Sequence, residues 1–396
     1  MDGTNKSFIQ RHADTLFLGL GILLAALLRF TLLPHPSYDI TEFFGPWYEF
    51  IQKNGGWGAL KYNFANYTPP YLYLQVIASQ IFPRLESVYA IKLFPVAFDF
   101  IAAFFVYKLV RLRYPTGTAP WLAGLAVLFA PTVILNSSFW GQTDIIYTTG
   151  LLACIYFLAI KRDVLALIAF GLAISIKLQA AFLLPFLAVL VLMKQVSWKN
   201  LLLVPLVYLI LILPAWMAGR PLIELLEVYF EQSTTYHALT MNAANMYQWL
   251  PNDLYALLYP AGMVLAASVA LLYVWVASKR GDLRNPATLV SLALISVIIM
   301  PYFTPKMHDR YFFAADVLSI IFAFYYPRYF YLPILICGVS FFSYTQFLFE
   351  YEIVPLRYLA IVQLVTVVIL FRYLASGTNF AGKVGDRDSS PDLEAG

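Results

Sequence analysis

Twelve long apolar runs separated by short polar connections are the feature that most constrains this chain: 15–33, 88–109, 119–135, 144–160, 164–177, 180–193, 200–218, 256–278, 286–303, 311–326, 330–348 and 355–373. Backbone in a hydrocarbon layer must satisfy its N–H and C=O groups within its own segment, so runs near 20 residues, or shorter under a re-entrant loop, fold as spanning helices. The reading is an all-α polytopic membrane protein with a bundle of about twelve transmembrane helices. Composition agrees, with 61% hydrophobic and 12% charged residues over 396, far too apolar for a soluble domain. The net charge of +4 is dispersed. There is no basic run and no Gly-rich phosphate loop, which excludes a nucleic-acid partner. Cys154 and Cys337 lie inside apolar runs, where a thiol behaves as a small hydrophobe. The first run is too long for a cleaved signal and lacks a small-x-small site, so it reads as a retained anchor.

Lys6 and Arg11 precede the first run and place the N-terminus in the cytoplasm by the positive-inside rule. Alternating from there, the cytoplasmic connections carry Lys108/Arg111/Arg113, Lys161/Arg162, Lys194/Lys199, Lys279/Arg280/Arg284, Arg328 and Arg372/Lys383/Arg387, a consistent register. Tyr71–Phe82 threatens it, because a crossing there would move every later basic cluster outside. The segment is short for a span and follows Pro69-Pro70, so it reads as an interfacial or re-entrant helix of the first external loop. Residues 1–375 then form the transmembrane domain, and 376–396, rich in Gly, Ser and Asp with mixed charge, form a disordered cytoplasmic tail. No internal repeat points to an inverted-repeat transporter.

With this register the unusual polar stretches share one face. In Tyr38-Asp-Ile-Thr-Glu-Phe-Phe-Gly-Pro-Trp47, Asp39 has two readings: a cap for the helical pattern that follows, or a general base, which needs a carboxylate within hydrogen-bond reach of an acceptor hydroxyl. Gln142 and Asp144, in Phe139-Trp-Gly-Gln-Thr-Asp144, open a helix at the same boundary, where capping explains the carboxylate well. Lys177, with Gln179 beside it, interrupts an apolar stretch, and an ammonium there either snorkels or meets an anion such as phosphate. Pro221–Glu231 is an amphipathic interfacial helix. Tyr236–Asn242 and Asn245–Trp249 mix amides with aromatic faces, as a sugar site or an interfacial aromatic belt would. Lys306-Met-His-Asp-Arg310 is the densest charge cluster on this face, and His308 between cations at a membrane boundary favours function over mere Asp309–Arg310 pairing. Arg29 either reaches the same anion or snorkels. No Cys/His set stands at zinc spacing and no serine elbow is present, so neither a metal nor a cofactor is expected.

An external site that transfers sugar must draw on a donor already flipped across the membrane, and a polyprenyl-phosphate sugar fits. Its phosphate leaves without protonation and needs only cations, for which Lys177, Arg310, Lys306 and Arg29 are the candidates. The acceptor hydroxyl must lose a proton as it attacks, and Asp39, helped by His308, is the candidate base for a single displacement with inversion.

These motifs resemble a known family. Asp39, Asn66-Tyr-Thr-Pro-Pro-Tyr-Leu-Tyr-Leu74, Phe139-Trp-Gly-Gln-Thr-Asp144, Lys177-Leu-Gln179, Asn242-Ala-Ala-Asn-Met246 and Met307-His-Asp-Arg-Tyr-Phe312 look like the GT-C glycosyltransferases. Among these they are most like the bacterial mannosyltransferases related to GPI mannosyltransferase II, with kinship to the mycobacterial polyprenyl-phosphate-mannose enzymes. The resemblance spans roughly 15–375. It implies a first-loop base at Asp39, an external histidine at His308 and a lipid-phosphate donor without metal. The substrate-binding candidates beside them are Tyr67, Gln142, Asp144, Gln179, Asn242 and Asn245. The expected partners are the bilayer, a polyprenyl-phosphate sugar and a glycan, glycolipid or protein acceptor, with the site facing outward from a bacterial plasma membrane. Two departures stand out: Tyr67-Thr68-Pro69-Pro70 where Tyr-Pro-Pro is common, and Asp309 where Glu is frequent. The competing class is a lipid-linked sugar flippase or a polysaccharide export or polymerase protein. A transporter of that kind carries ionisable groups at the middle of its spans.

Overall fold

The structure is a computed structural model and describes residues 8–376, so the expected tail lies outside the described residues apart from Ser376. All twelve apolar runs are helical. In chain order the α-helices are α1 (Phe8–Leu32), α2 (Gly45–Lys53), α3 (Pro69–Ile81), α4 (Ser87–Arg111), α5 (Ala119–Leu128), α6 (Pro131–Ile134), α7 (Asp144–Ala159) and α8 (Asp163–Ile176). They continue with α9 (Leu184–Leu192), α10 (Leu203–Met217), α11 (Leu222–Thr234), α12 (Tyr255–Ala277), α13 (Pro286–Phe303), α14 (Phe313–Tyr325), α15 (Tyr331–Leu348) and α16 (Leu356–Ala375). Among the described residues seven helices are long and apolar enough to cross a membrane, and an eighth if the bent pair Ala119–Leu128 and Pro131–Trp140 is one span. The other four runs, α7, α8, Leu178–Leu192 and α14, are shorter helices packed among them.

The breaks have local causes. Pro131 has no N–H to give and clashes with the preceding turn, so Ala130 is extended at ψ 124° and the pair bends by 47°. At Lys177 the backbone opens to φ −153° and ψ 132°, separating α8 from the 3₁₀ turn Leu178–Leu183 that leads into α9. α13 lies at the centre, with 72% of its best span window buried, and packs with α7 and α14 in the main core. α1, α10 and α12 are peripheral and present rows of large apolar side chains outward, as helices facing lipid do.

The first loop is a small folded unit with its own core. Phe44, Tyr48 and Ile51 from the region of α2 meet Tyr71, Leu72 and Val76 from α3 over Ile212 and Ala215 of α10. α3 is tied into its surroundings at both ends. Thr68, at its start, bonds to Ser175 O at 2.7 Å, while Trp57 donates to Gln80 Oε1 at 3.1 Å near its end. At 13 residues α3 is not among the helices long and apolar enough to cross a membrane.

The basic connections gather at the opposite face. Arg284 makes a two-pronged pair with Asp163 at 2.8 and 2.9 Å, Arg280 donates to Tyr373 O at 2.6 Å, and Tyr114 donates to Phe324 O at 2.9 Å.

Candidate active site

Asp39 follows the end of α1 and precedes a π-helical turn, Ile40–Phe44. Its side chain makes no capping hydrogen bond to that turn. The carboxylate instead faces a second π-helical turn, Leu135–Trp140, that continues α6. Trp140 Nε1 donates to Asp39 Oδ2 at 2.8 Å, and Gln142 Nε2 donates to the same oxygen. Wide turns of this kind recur at functional sites because they displace one residue from the helical register. Here they turn Asp39 and Trp140 toward each other. Gly141 makes the junction possible: its φ is +81°, and a Cβ there would sit 2.8 Å from Ile40 Cδ1. Every described contact of the Asp39 carboxylate falls on Oδ2, and Oδ1 has none among the described contacts.

Around Asp39 lie two cations and two further carboxylates. Arg310 approaches Asp39 at 3.6 Å, Asp144 at 3.7 Å and Asp309 at 3.8 Å, and its guanidinium lies 4.7 Å from the centre of the Trp140 ring. Lys177 bonds Asp144 at 2.6 Å, and Asn136 donates to the other oxygen of Asp144 at 2.8 Å. Asp144 is thus a fully buried hub between α7 and the opening after α8 rather than a simple cap. Each cation has a carboxylate partner, so the anion that Lys177 meets within the chain is Asp144. The ammonium at Lys177 is tolerated because Asp144 meets it.

His308 closes the far wall. The chain after α11 returns as a short strand, β1 (Thr240–Met241), which pairs in parallel with β2 (Met307–His308). Asn242 bridges to His308 with a left-handed φ of 59°. The His308 ring lies between those of Tyr236 and Tyr311, with centres 5.5 and 5.2 Å away. Burial, with Arg310 and Lys177 nearby, lowers its pKa to about 3, so the imidazole is neutral at physiological pH. Burial raises the neighbouring Asp309 to about 7 against the pull of Arg310. The surrounding carboxylates, led by Asp39, outweigh desolvation and hold Arg310 firmly charged.

Of the remaining expected residues, Gln179 lies against Tyr311 with its Oε1 buried and unpaired among the described contacts. Tyr67 is half-buried, its ring packed at steep angles against those of Phe44, Trp47 and Tyr71. Three residues are elsewhere. Arg29 is buried inside the bundle, bonded to Asp99 at 2.6 Å and to Ala25 O and Leu128 O, because a guanidinium facing hydrocarbon needs a full set of acceptors. Lys306 lies over the rings of Tyr255 and Tyr259, at 5.9 and 5.5 Å. Asn245 uses both ends of its amide on backbone, accepting from Tyr247 N and donating to Pro301 O.

Two residues that matter here were not singled out from the sequence, Trp140 and Lys92. Lys92 carried a usable signal, a lone lysine within an apolar run; Trp140 did not, since tryptophan at a membrane boundary is common.

The architecture is that of an all-α, multi-span membrane protein, as the apolar runs imply. Two solved structures share its fold: ArnT from Cupriavidus metallidurans bound to undecaprenyl phosphate, with a TM-score of 0.56, and the same protein in the apo state, at 0.54. In each comparison the identity is 16%, and the alignment covers 92% of this chain and 78% of ArnT. No protein-family model and no curated protein matches the sequence.

Proposed function

We propose that this protein is an integral membrane glycosyltransferase that moves a hexose, mannose, from a polyprenyl-phosphate donor to an acceptor hydroxyl on the external face of a bacterial plasma membrane. The observation that carries the reading is the fold shared with ArnT, a protein solved with undecaprenyl phosphate bound. In the proposed reaction Asp39 Oδ1 takes the proton of the acceptor hydroxyl as that oxygen attacks the anomeric carbon. The carbon–oxygen bond to phosphate breaks, the electron pair leaves with the polyprenyl phosphate, and the configuration inverts. Trp140 and Gln142, donating to Oδ2, hold the other oxygen still.

Arg310 is the main support for the departing charge, with Lys177 behind it through Asp144. Neutral His308 cannot serve as a cation; it orients the acceptor or donor by hydrogen bonding. Gln142, Gln179, Tyr67 and Asn242 line the sugar side, and the proposed step uses no metal or cofactor. The reading is tested by offering the purified protein polyprenyl-phospho-mannose, polyprenyl-phospho-glucose and a polyprenyl-diphosphate sugar in lipid. Transfer from a monophosphate donor is expected, and transfer from the diphosphate donor alone would overturn it.

A further inference from the structure

The segments that meet at Asp39 are both held by one face of α4. Lys92 and Asp99 stand two turns apart on that face, and both are fully buried. Lys92 Nζ donates to Leu32 O at 3.3 Å, Leu33 O at 3.1 Å and His35 O at 2.6 Å. These carbonyls end α1, where unpaired acceptors carry partial negative charge. Two residues later Ser37 Oγ donates to Trp140 O at 2.6 Å, and Asp39 follows.

Asp99 Oδ2 works on the other side, accepting from Arg29 at 2.6 Å and from Ser137 Oγ at 2.5 Å. Arg29 also donates to Leu128 O at 3.0 Å, the last residue of α5 before the bend. Ser137 belongs to the π-helical turn that ends in Trp140. The two supports meet at Gly141, where a Cβ would lie 3.4 Å from Lys92 Cγ and 2.8 Å from Ile40 Cδ1.

Buried charges of this kind are poor devices for stability alone, since well-packed apolar residues of the same volume often do as well or better. What they add is direction: the Lys92 bonds end on the segment that leads to Asp39, and the Ser137 bond to Asp99 holds the turn that ends in Trp140. We infer that Lys92, Asp99 and Ser137 are positioning residues for the transfer reaction, acting through the hydrogen bonds of Trp140 and Gln142 to Asp39, an inference that rests on the role proposed above for Asp39.

The test uses the full chain in lipid with polyprenyl-phospho-mannose and an acceptor, measuring kcat and donor KM. Ser137→Ala and Lys92→Met are each expected to lower kcat roughly tenfold with donor KM kept within about twofold, because small displacements of a reacting group cost rate before binding. In a Trp140→Phe background, where the indole N–H is gone and only Gln142 still holds Asp39, Ser137→Ala is expected to cost clearly less than in wild type. A merely structural serine would give the same fold loss in both backgrounds, and that result overturns the inference. So does an unchanged kcat in Ser137→Ala or in Lys92→Met. If a variant is poorly stable, kcat is referred to the folded fraction, and a normal value there counts against the inference as well. Asp99→Asn gives a second measurement on the Ser137 side, with the same split expected. A wild type inactive with every polyprenyl-phosphate sugar overturns the transferase reading and this inference together, whereas an active wild type with insensitive variants overturns the inference alone.

Discussion

Exchanging the Asp39 carboxylate for an amide keeps its shape and an acceptor oxygen for Trp140 and Gln142, yet removes its ability to take a proton. Asp39→Asn is therefore expected to lower kcat by about 10²–10⁴ while thermal unfolding in detergent stays close to wild type. A loss smaller than about tenfold would move the base elsewhere. His308 and Asp309 give a second prediction, because they act on stability with opposite signs. His308 titrates at about 3 in the fold and near 6.5 when unfolded, so its contribution grows as pH rises across that window. Asp309 titrates at about 7 in the fold and near 3.8 unfolded, so the fold holds the extra proton and loses that stability as pH rises toward 7. The two oppose each other through most of the acid range. Melting temperature is expected to climb with pH in Asp309→Asn, fall with pH in His308→Ala, and change less in wild type than in either. Equal slopes in all three would refute the assignment.

The Lys177–Asp144 pair joins α7 to the opening after α8, and it can be separated from any role in donor binding. Lys177→Met leaves Asp144 buried without its nearest cation and is expected to cost roughly 3–5 kcal/mol, toward the low end because Arg310 and Asn136 remain. Adding Asp144→Asn should restore most of that stability in urea or thermal unfolding, and no recovery would show that the pair does not act as a unit. At this scale the sequence was informative about which elements exist and less so about what their polar residues do. All twelve apolar runs were legible because backbone in hydrocarbon has so few options. The motif Phe139–Asp144 was legible as a polar interruption, but its π-helical turn was not, since widening a helix by one residue leaves no mark on hydrophobic periodicity. Lys177 was visible as a cation in an apolar stretch, whereas its partner lay 33 positions away in sequence and could only be found in the folded chain. Arg29 misled for the same reason: its acceptor, Asp99, is on another helix.

For the whole molecule, the sorting of polar loops to one face and basic connections to the other is the property that labelling can read. In a chain with Cys154 and Cys337 replaced, a cysteine at the exposed Asn66 should react with an impermeant thiol reagent applied to intact cells, and one at the exposed Arg111 should not. Reaction at Arg111 alone would invert the orientation that the positive-inside rule assigns. The register itself is read from lysine and arginine placement, and its one doubtful segment, α3, is 13 residues long and not among the helices long and apolar enough to cross. The ladder between β1 and β2 has a consequence for synthesis. Ribosomes deliver Asp39 early, but the strand carrying His308, and Arg310 just beyond it, are made only after α12 and α13. A nascent chain halted before that point would hold its acidic residue without the arginine that balances it and without the wall that closes the cleft. The proposed site is thus assembled late, with only α14 to α16 still to be made, so a half-inserted copy lacks the groups that surround Asp39.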